Sequence, residues 1–194
     1  MERSTYVKIS LRMPTAHLIS GLPCAGKTSY SNALRETTNG VLLSLDYWLI
    51  TTHGRYSIST ISHEEHVRRV LACRHLISDV ACEFLNRGAD VILDDGFFLR
   101  EHRIQQIAVM RALSTNKGNK VQVKTHVIQV PFETMRARLA KRNADLPHYN
   151  FAVSSELIQQ FSALYEPPVA NEGAELVMVD GSERLWEDAS HRSQ

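Results

Sequence analysis

Cysteine is scarce in this chain: Cys24, Cys73 and Cys82 are the only three. Their number is odd and no two stand at C-x-x-C spacing, which excludes a disulfide framework and a cysteine zinc or redox motif and predicts reduced thiols. A charge excess is also missing. Lys and Arg number 22 against 21 Asp and Glu, for a formal net charge of +1. That balance supplies no global attraction to nucleic acid or to an acidic membrane. No apolar run approaches the roughly 18 residues of a membrane span; even residues 41–50 are interrupted by Asp46. Residues 1–14 interleave charged and apolar side chains without the apolar centre of a signal peptide, so the expected location is cytoplasmic. There is no internal repeat, no low-complexity tract and no linker between two self-sufficient cores. The 194 residues are therefore expected to form one domain (1–194), with its core at about 15–181. His63 and His66 share a helix start, yet no H-E-x-x-H pattern and no nearby third ligand accompany them, so no zinc site is read there.

What remains is an ordinary globular composition, 43% hydrophobic and 22% charged, in which apolar runs alternate with helical patterns. Strands are expected at 17–20, 41–45, 90–94, 121–130 and 175–179. Helices are expected at 27–36, 62–86, 100–113, 132–142 and 154–165, with a short one starting at Ser182. Ser62 and Glu65 make a capping-box pattern for the long helix, and Gly88 suits its C-terminal end. Residues 53–62 read as a loop. Residues 114–120 read as a turn-rich connector, and 143–153 as a mobile flap. Strands alternating with helices, the strands apolar with few alternating polar residues, predict an α/β domain with a mainly parallel sheet covered on both faces.

Gly21-x-x-x-x-Gly26-Lys27-Thr28 matches a Walker A motif in full, between an expected strand and an expected helix. A chance match arises on the order of once in a hundred chains of ordinary composition, and the strand–loop–helix context makes it rarer still. Each residue type has a chemical reason. Gly21 and Gly26 permit tight turns and a close approach of phosphate oxygens. Backbone N–H groups of Leu22, Pro23-flanking Cys24, Ala25 and Gly26, with the helix N-terminus at Lys27 to Ser29, offer positive potential to an anion. Lys27 can reach the β- and γ-phosphates, and the Thr28 hydroxyl can ligate Mg2+. ATP and Mg2+ are the expected cofactors. Cys24 lies inside this loop, so its oxidation would obstruct nucleotide binding.

Ligands of open α/β sheets bind beyond the carboxyl ends of the strands, and Asp46 and Asp94 both stand there. Asp46 is the candidate base for an attacking hydroxyl, and Asp94, after Val91-Ile92-Leu93, the candidate Walker B carboxylate; Asp95 competes for either role. Arg100 and Arg103, just beyond, could grip an acidic substrate or the transferred group. Arg138 and Arg142 lie four apart on one helix face. Beside the expected flap they form a lid (about 136–154) able to close over ATP. Tyr47 and Trp48 could wall a substrate pocket, and the turn at Tyr165-Glu166-Pro167-Pro168 could pack at its rim.

These residues resemble a group of small P-loop kinases and ATPases related to zeta toxin, chloramphenicol phosphotransferase and AAA-family ATPases. The likeness rests on the loop at 21–28, Asp46-Tyr47-Trp48, the stretch from Leu93 to Arg103, Val130-Pro131 through Arg138-x-x-x-Arg142, and Tyr165-Glu166-Pro167-Pro168. It runs from about residue 15 to 179. It implies a three-layer α/β/α P-loop NTPase fold, nucleotide-kinase-like, with a five-stranded sheet and a small lid. It also implies that Asp46 matches the catalytic aspartate, and Arg138 and Arg142 the lid arginines. Cys24-Ala25-Gly26 departs from the group's frequent Gly-Ser-Gly, and Asp95 replaces a position often apolar or aromatic. The expected activity is transfer of the ATP γ-phosphoryl group to a hydroxyl of a small molecule, such as a sugar, a nucleoside-like compound or an antibiotic. The alternatives are a regulatory nucleotide-binding ATPase and a nucleic-acid 5′-hydroxyl kinase. Against the last stand Leu49, where an arginine is usual in such enzymes, and the near-neutral charge.

Overall fold

The computed structural model describes residues 12–57, 60–113, 118 and 120–182. The chain runs β1 (Thr15–Ser20), α1 (Lys27–Thr38), β2 (Val41–Ser44), α2 (Leu45–His53), α3 (His63–Asn86), β3 (Val91–Gly96), α4 (Arg100–Ala112), β4 (Gln122–Gln129), α5 (Phe132–Ala144), α6 (Ser155–Leu164), a 3-10 turn (Ala170–Glu172) and β5 (Glu175–Asp180). The five strands form one sheet in the order β2-β3-β1-β4-β5, and every pairing is parallel. The α/β fold and five-strand core expected from the sequence are present, with all neighbours parallel. Most of the expected connector at 114–120, and the helix expected beyond Ser182, lie outside the described residues.

Strand alternation divides the core into two layers. On one face Ala16, Leu18, Val91 and Leu93 pack with Cys73, Ile77 and Ala81 of α3 and Ile107 and Met110 of α4. On the other, Ile19, Ile92 and Ile128 pack with Tyr30 and Leu34 of α1. Helices thus cover both faces, and each fully buried aliphatic side chain contributes about 1.5–3 kcal/mol. The second layer also holds two histidines. His17 Nδ1 lies 2.9 Å from His126 Nε2, and the Tyr30 hydroxyl lies 2.7 Å from His126 Nδ1. Burial pushes His17 down to about 4, Asp90 opposing this and Lys124 and Arg12 adding to it. Burial likewise pushes His126 down to about 3, with help from His17 and Lys124.

The main departure from the expected elements is α2. The apolar pattern places residue 45 in the strand, but the chain leaves β2 at Ser44 and turns at once into a helix. The Ser44 hydroxyl accepts from the Tyr47 N–H at 3.5 Å, and Leu45, Leu49 and Ile50 bury one face of the new helix. Ser62 caps α3 as expected, accepting from Glu65 N–H at 3.1 Å. Gly88, at φ +88°, follows its C-terminus, a conformation that costs little only for glycine. Residues 145–154 carry no regular structure but are tethered. Asn143 donates to Val153 O at 2.7 Å, Arg55 donates to Pro147 O at 2.9 Å and to His148 O, and the rings of Tyr149 and Phe151 contact Tyr47 and Tyr56.

Candidate active site

The loop between β1 and α1 sits at the carboxyl end of the central strand, where the chain's strand order reverses, the usual ligand-binding crevice of such sheets. Its shape depends on backbone that ordinary residues avoid. Gly21 (φ +154°), Cys24 (φ +62°) and Gly26 (φ +103°) all have positive φ. A Cβ on Gly21 would stand 2.9 Å from Ile128 O. The loop is tied to β3 by Gly21 N–H donating to Gly96 O at 3.1 Å. A second constraint comes from β5, because a Cβ on Gly181 would lie 2.6 Å from Ala25 O. Gly181 thus clears the space in which the loop lies, although no sequence pattern marked it.

Lys27 folds back and donates to Leu22 O at 3.1 Å. Burial lowers its pKa, while Asp94 and Asp46 oppose the shift and Arg142 adds to it. Thr28 Oγ1 donates to Asp94 Oδ2 at 3.0 Å. Asp94 is buried; loss of water raises its pKa, with Lys27 and the Thr28 hydrogen bond pulling the other way. Asp46, in the first turn of α2, faces the open cleft and is reached by solvent. Protein nonetheless surrounds it on most sides, and the resulting desolvation pushes its pKa up to about 6; Lys27 opposes, Asp94 adds, Arg142 opposes and Asp95 adds. From α5, Arg138 donates to Ala25 O at 3.3 Å. Arg142 donates to Phe151 O at 2.9 Å, and its Nε is buried with no hydrogen-bond partner among the described residues.

One cleft of about 540 Å³ brings these groups together. It is lined by residues 23, 24 and 26–29 of the loop, with Asp46, Asp94, Asp95, Arg138 and Arg142. Asp95 is held by Arg74, which donates from Nε and Nη2 to its two oxygens at 2.7 and 2.6 Å. Arg74, on α3, was not singled out in the sequence, for nothing local links it to a carboxylate 21 residues away.

Three expected substrate residues lie elsewhere. Arg103 is fully buried. It donates to both oxygens of Glu172 at 2.7 Å and to Phe97 O at 2.8 Å, so its guanidinium is consumed inside the fold and cannot grip a ligand. Arg100 does not line the cleft; its side chain, about half exposed, lies 3.8 Å from Glu172. Trp48 packs against the core cluster instead of walling the pocket, because α2 carries it round to the buried side. The turn after α6 does reach the rim: Glu166 N–H donates to Phe98 O at 3.0 Å, and its carboxylate accepts from Arg100 N–H at 2.6 Å. Tyr165 OH lies 3.2 Å from Ser20 Oγ.

Comparison with known proteins agrees with this fold. A family model described as an AAA domain matches residues 17–168. No curated protein sequence matches the chain. Among solved structures, the chain is similar to a provisionally assigned kinase from Chloroflexus aurantiacus, with 18% identity, a TM-score of 0.65, and 87% of this chain and 89% of that one covered. It is also similar to a gluconokinase from Sinorhizobium meliloti (15% identity, TM-score 0.56, 94% and 99% covered). A third is a shikimate kinase from Acinetobacter baumannii solved with shikimate (16% identity, TM-score 0.54, 92% and 89% covered). At these identities the likeness is one of fold.

Proposed function

The chain belongs to the AAA domain family of P-loop proteins, and from that premise we propose that it is an ATP-dependent phosphotransferase acting on a hydroxyl of a small molecule. The observation that carries this reading is a carboxylate, Asp46, facing the same cleft as Lys27, Thr28 and two arginines of α5. A nucleotide-binding module needs the loop and the cations. A kinase also needs an acid–base group opposite them. With its pKa raised to about 6, Asp46 is largely ionised at neutral pH yet basic enough to take a proton, the balance a general base requires.

The loop amides, Lys27 and the α1 N-terminus bind the triphosphate tail. Thr28 and Asp94 are hard oxygen donors 3.0 Å apart and fit Mg2+, which they would hold; the ion supplies positive charge against the phosphates. Asp95, locked by Arg74, is left to shape the acceptor side. In the transfer, the acceptor oxygen bonds to the γ-phosphorus as its proton passes to Asp46. The bond from that phosphorus to the bridging oxygen breaks, and its electron pair leaves with ADP. Arg138 and Arg142 face the charge that spreads over the moving group. Gluconokinase and shikimate kinase among the structural neighbours support a small-molecule acceptor.

The test is turnover of γ-labelled ATP against a panel of metabolites and antibiotics, wild type beside Asp46→Asn. The variant should bind ATP and lose about 10²–10⁴-fold in transfer. Full-rate transfer by Asp46→Asn would remove the base assignment. Unchanged ATP affinity in Lys27→Ala, by calorimetry, would remove the loop as the nucleotide site.

A further inference from the structure

Residues 147–151 run from α5, which carries Arg138 and Arg142, across to α2 and the start of α3. Pro147, Asn150 and Phe151 line the cleft on the way, and Asn150 N–H donates to Pro147 O at 3.1 Å, closing the stretch into a turn. Its far side is tied at three points. Arg55, just past α2, donates from Nη2 to Pro147 O at 2.9 Å and to His148 O. The Tyr47 and Tyr149 rings have centroids 4.7 Å apart. The Tyr56 ring backs Phe151 at 5.0 Å. Tyr56 is itself anchored to α3, its hydroxyl 3.1 Å from His66 Nδ1 and the Arg69 guanidinium 4.9 Å from its ring centre.

The near side ends on a lid arginine. Phe151 O accepts from Arg142 Nη2 at 2.9 Å, and Val153 O accepts from Asn143 at 2.7 Å. The Arg142 charge stands close enough to Lys27 and Asp46 to pull the pKa of each downward. Its Nε is buried with no hydrogen-bond partner among the described residues, a donor that an incoming phosphate oxygen would satisfy.

A long guanidinium side chain has many rotamers, and it stabilises a transferring charge best when its direction is fixed beforehand. The carbonyl that fixes Arg142 lies nine residues along the chain and moves with the turn that carries it. That turn is held from the α2–α3 side. Arg55 is exposed and does not line the cleft, so its contacts are with the turn and not with a bound ligand. We infer that Arg55 is a positioning residue for the γ-phosphate site: together with Tyr56 behind Phe151, it holds residues 147–151 so that Phe151 O keeps Arg142 aimed into the cleft. This rests on the nucleotide-site reading above and extends it to a residue that no phosphate touches.

Binding isotherms separate the two levels without an acceptor. Calorimetry compares MgADP with the magnesium complex of the β,γ-imido analogue of ATP, which adds the γ-phosphate. If Arg55 acts through Arg142, Arg55→Ala lowers the fraction of molecules with Arg142 in place. It should then weaken the analogue about fivefold and leave MgADP within about twofold of wild type. Arg142→Ala should weaken the analogue about tenfold or more. Adding Arg55→Ala to it should cost nothing further, because the two act as one unit. Unchanged analogue affinity in Arg55→Ala, an equal loss for MgADP, or additive losses in the double variant would overturn the positioning role and leave the nucleotide site standing. If the wild type binds neither nucleotide, the reading beneath falls as well.

Discussion

Replacing Arg103 separates two roles that the sequence left together. The residue follows the cleft carboxylates by only a few positions, yet its side chain is fully buried and bonded to Glu172 and to Phe97 O. Arg103→Met keeps the volume and deletes the charge. Glu172, itself buried, then loses its close bidentate partner and keeps only Arg100 Nε at 3.8 Å; losing the close partner of a buried charge typically costs about 3–5 kcal/mol. Phe97 has φ +44°, and its carbonyl loses a close donor; the remaining contact, from Ser20 Oγ, is 3.4 Å long. A destabilisation of about 4 kcal/mol is a large part of the roughly 5–15 kcal/mol that folds a domain. It should lower Tm by about 10 °C for a chain of this size. Urea unfolding followed by tryptophan fluorescence measures it. The double variant Arg103→Met/Glu172→Gln should regain at least half of the loss, because it removes the buried charge that has lost its close partner. Should Arg103→Met prove too unstable to purify, Arg103→Lys and Glu172→Gln, each beside the wild type, read the same coupling. A stable Arg103→Met protein, within 1 kcal/mol of wild type but with greatly weakened acceptor binding, would refute the structural role and restore the ligand-gripping one.

Acid should destabilise the fold through the buried histidine pair. With native pKa values near 4 and 3 against an ordinary 6.5, the unfolded chain binds more protons below pH 6.5, so stability falls from there toward pH 4. Each pKa unit is 1.36 kcal/mol; taken as one coupled titration, the loss reaches about 3 kcal/mol. A flat urea midpoint from pH 7 to 4.5 would contradict it. Gly181→Ala should weaken MgATP binding at least about tenfold, since its Cβ would collide with Ala25 O at 2.6 Å and push the phosphate loop out of shape; calorimetry showing wild-type affinity would mean the loop yields freely. The kcat/KM of wild type should rise with pH through a value near 6, where Asp46 ionises in the free protein. A profile flat from pH 5 to 7 would point to a different base.

How much of this was legible in the sequence depended on whether the information is local. The Walker loop is local: its glycines answer backbone angles set within eight residues, so pattern and context found it together. The parallel sheet was legible for a related reason, since strands buried on both faces, as β1 is, read as largely apolar runs. The α2 helix was missed although a signal existed. Ser44 is a good N-cap, and Leu45, Trp48 and Leu49 recur at helical spacing, but the preceding apolar run carries the strand pattern through Leu45 and leaves Asp46 looking like a strand-end residue.

Arg103 shows the opposite limit. A buried arginine and an exposed one look the same in a sequence until the partner is known, and Glu172 lies 69 residues downstream. The same holds for Arg74 and Asp95. The cleft was therefore readable where a short motif sets the backbone and unreadable where side chains neutralise each other over distance. Phosphate chemistry sets local requirements that a short motif can meet by itself. The rest of the cleft lining is distributed over α2, α3, the turn after β3, the segment after α5, and α6, whose side chains carry no pattern until the fold assembles them.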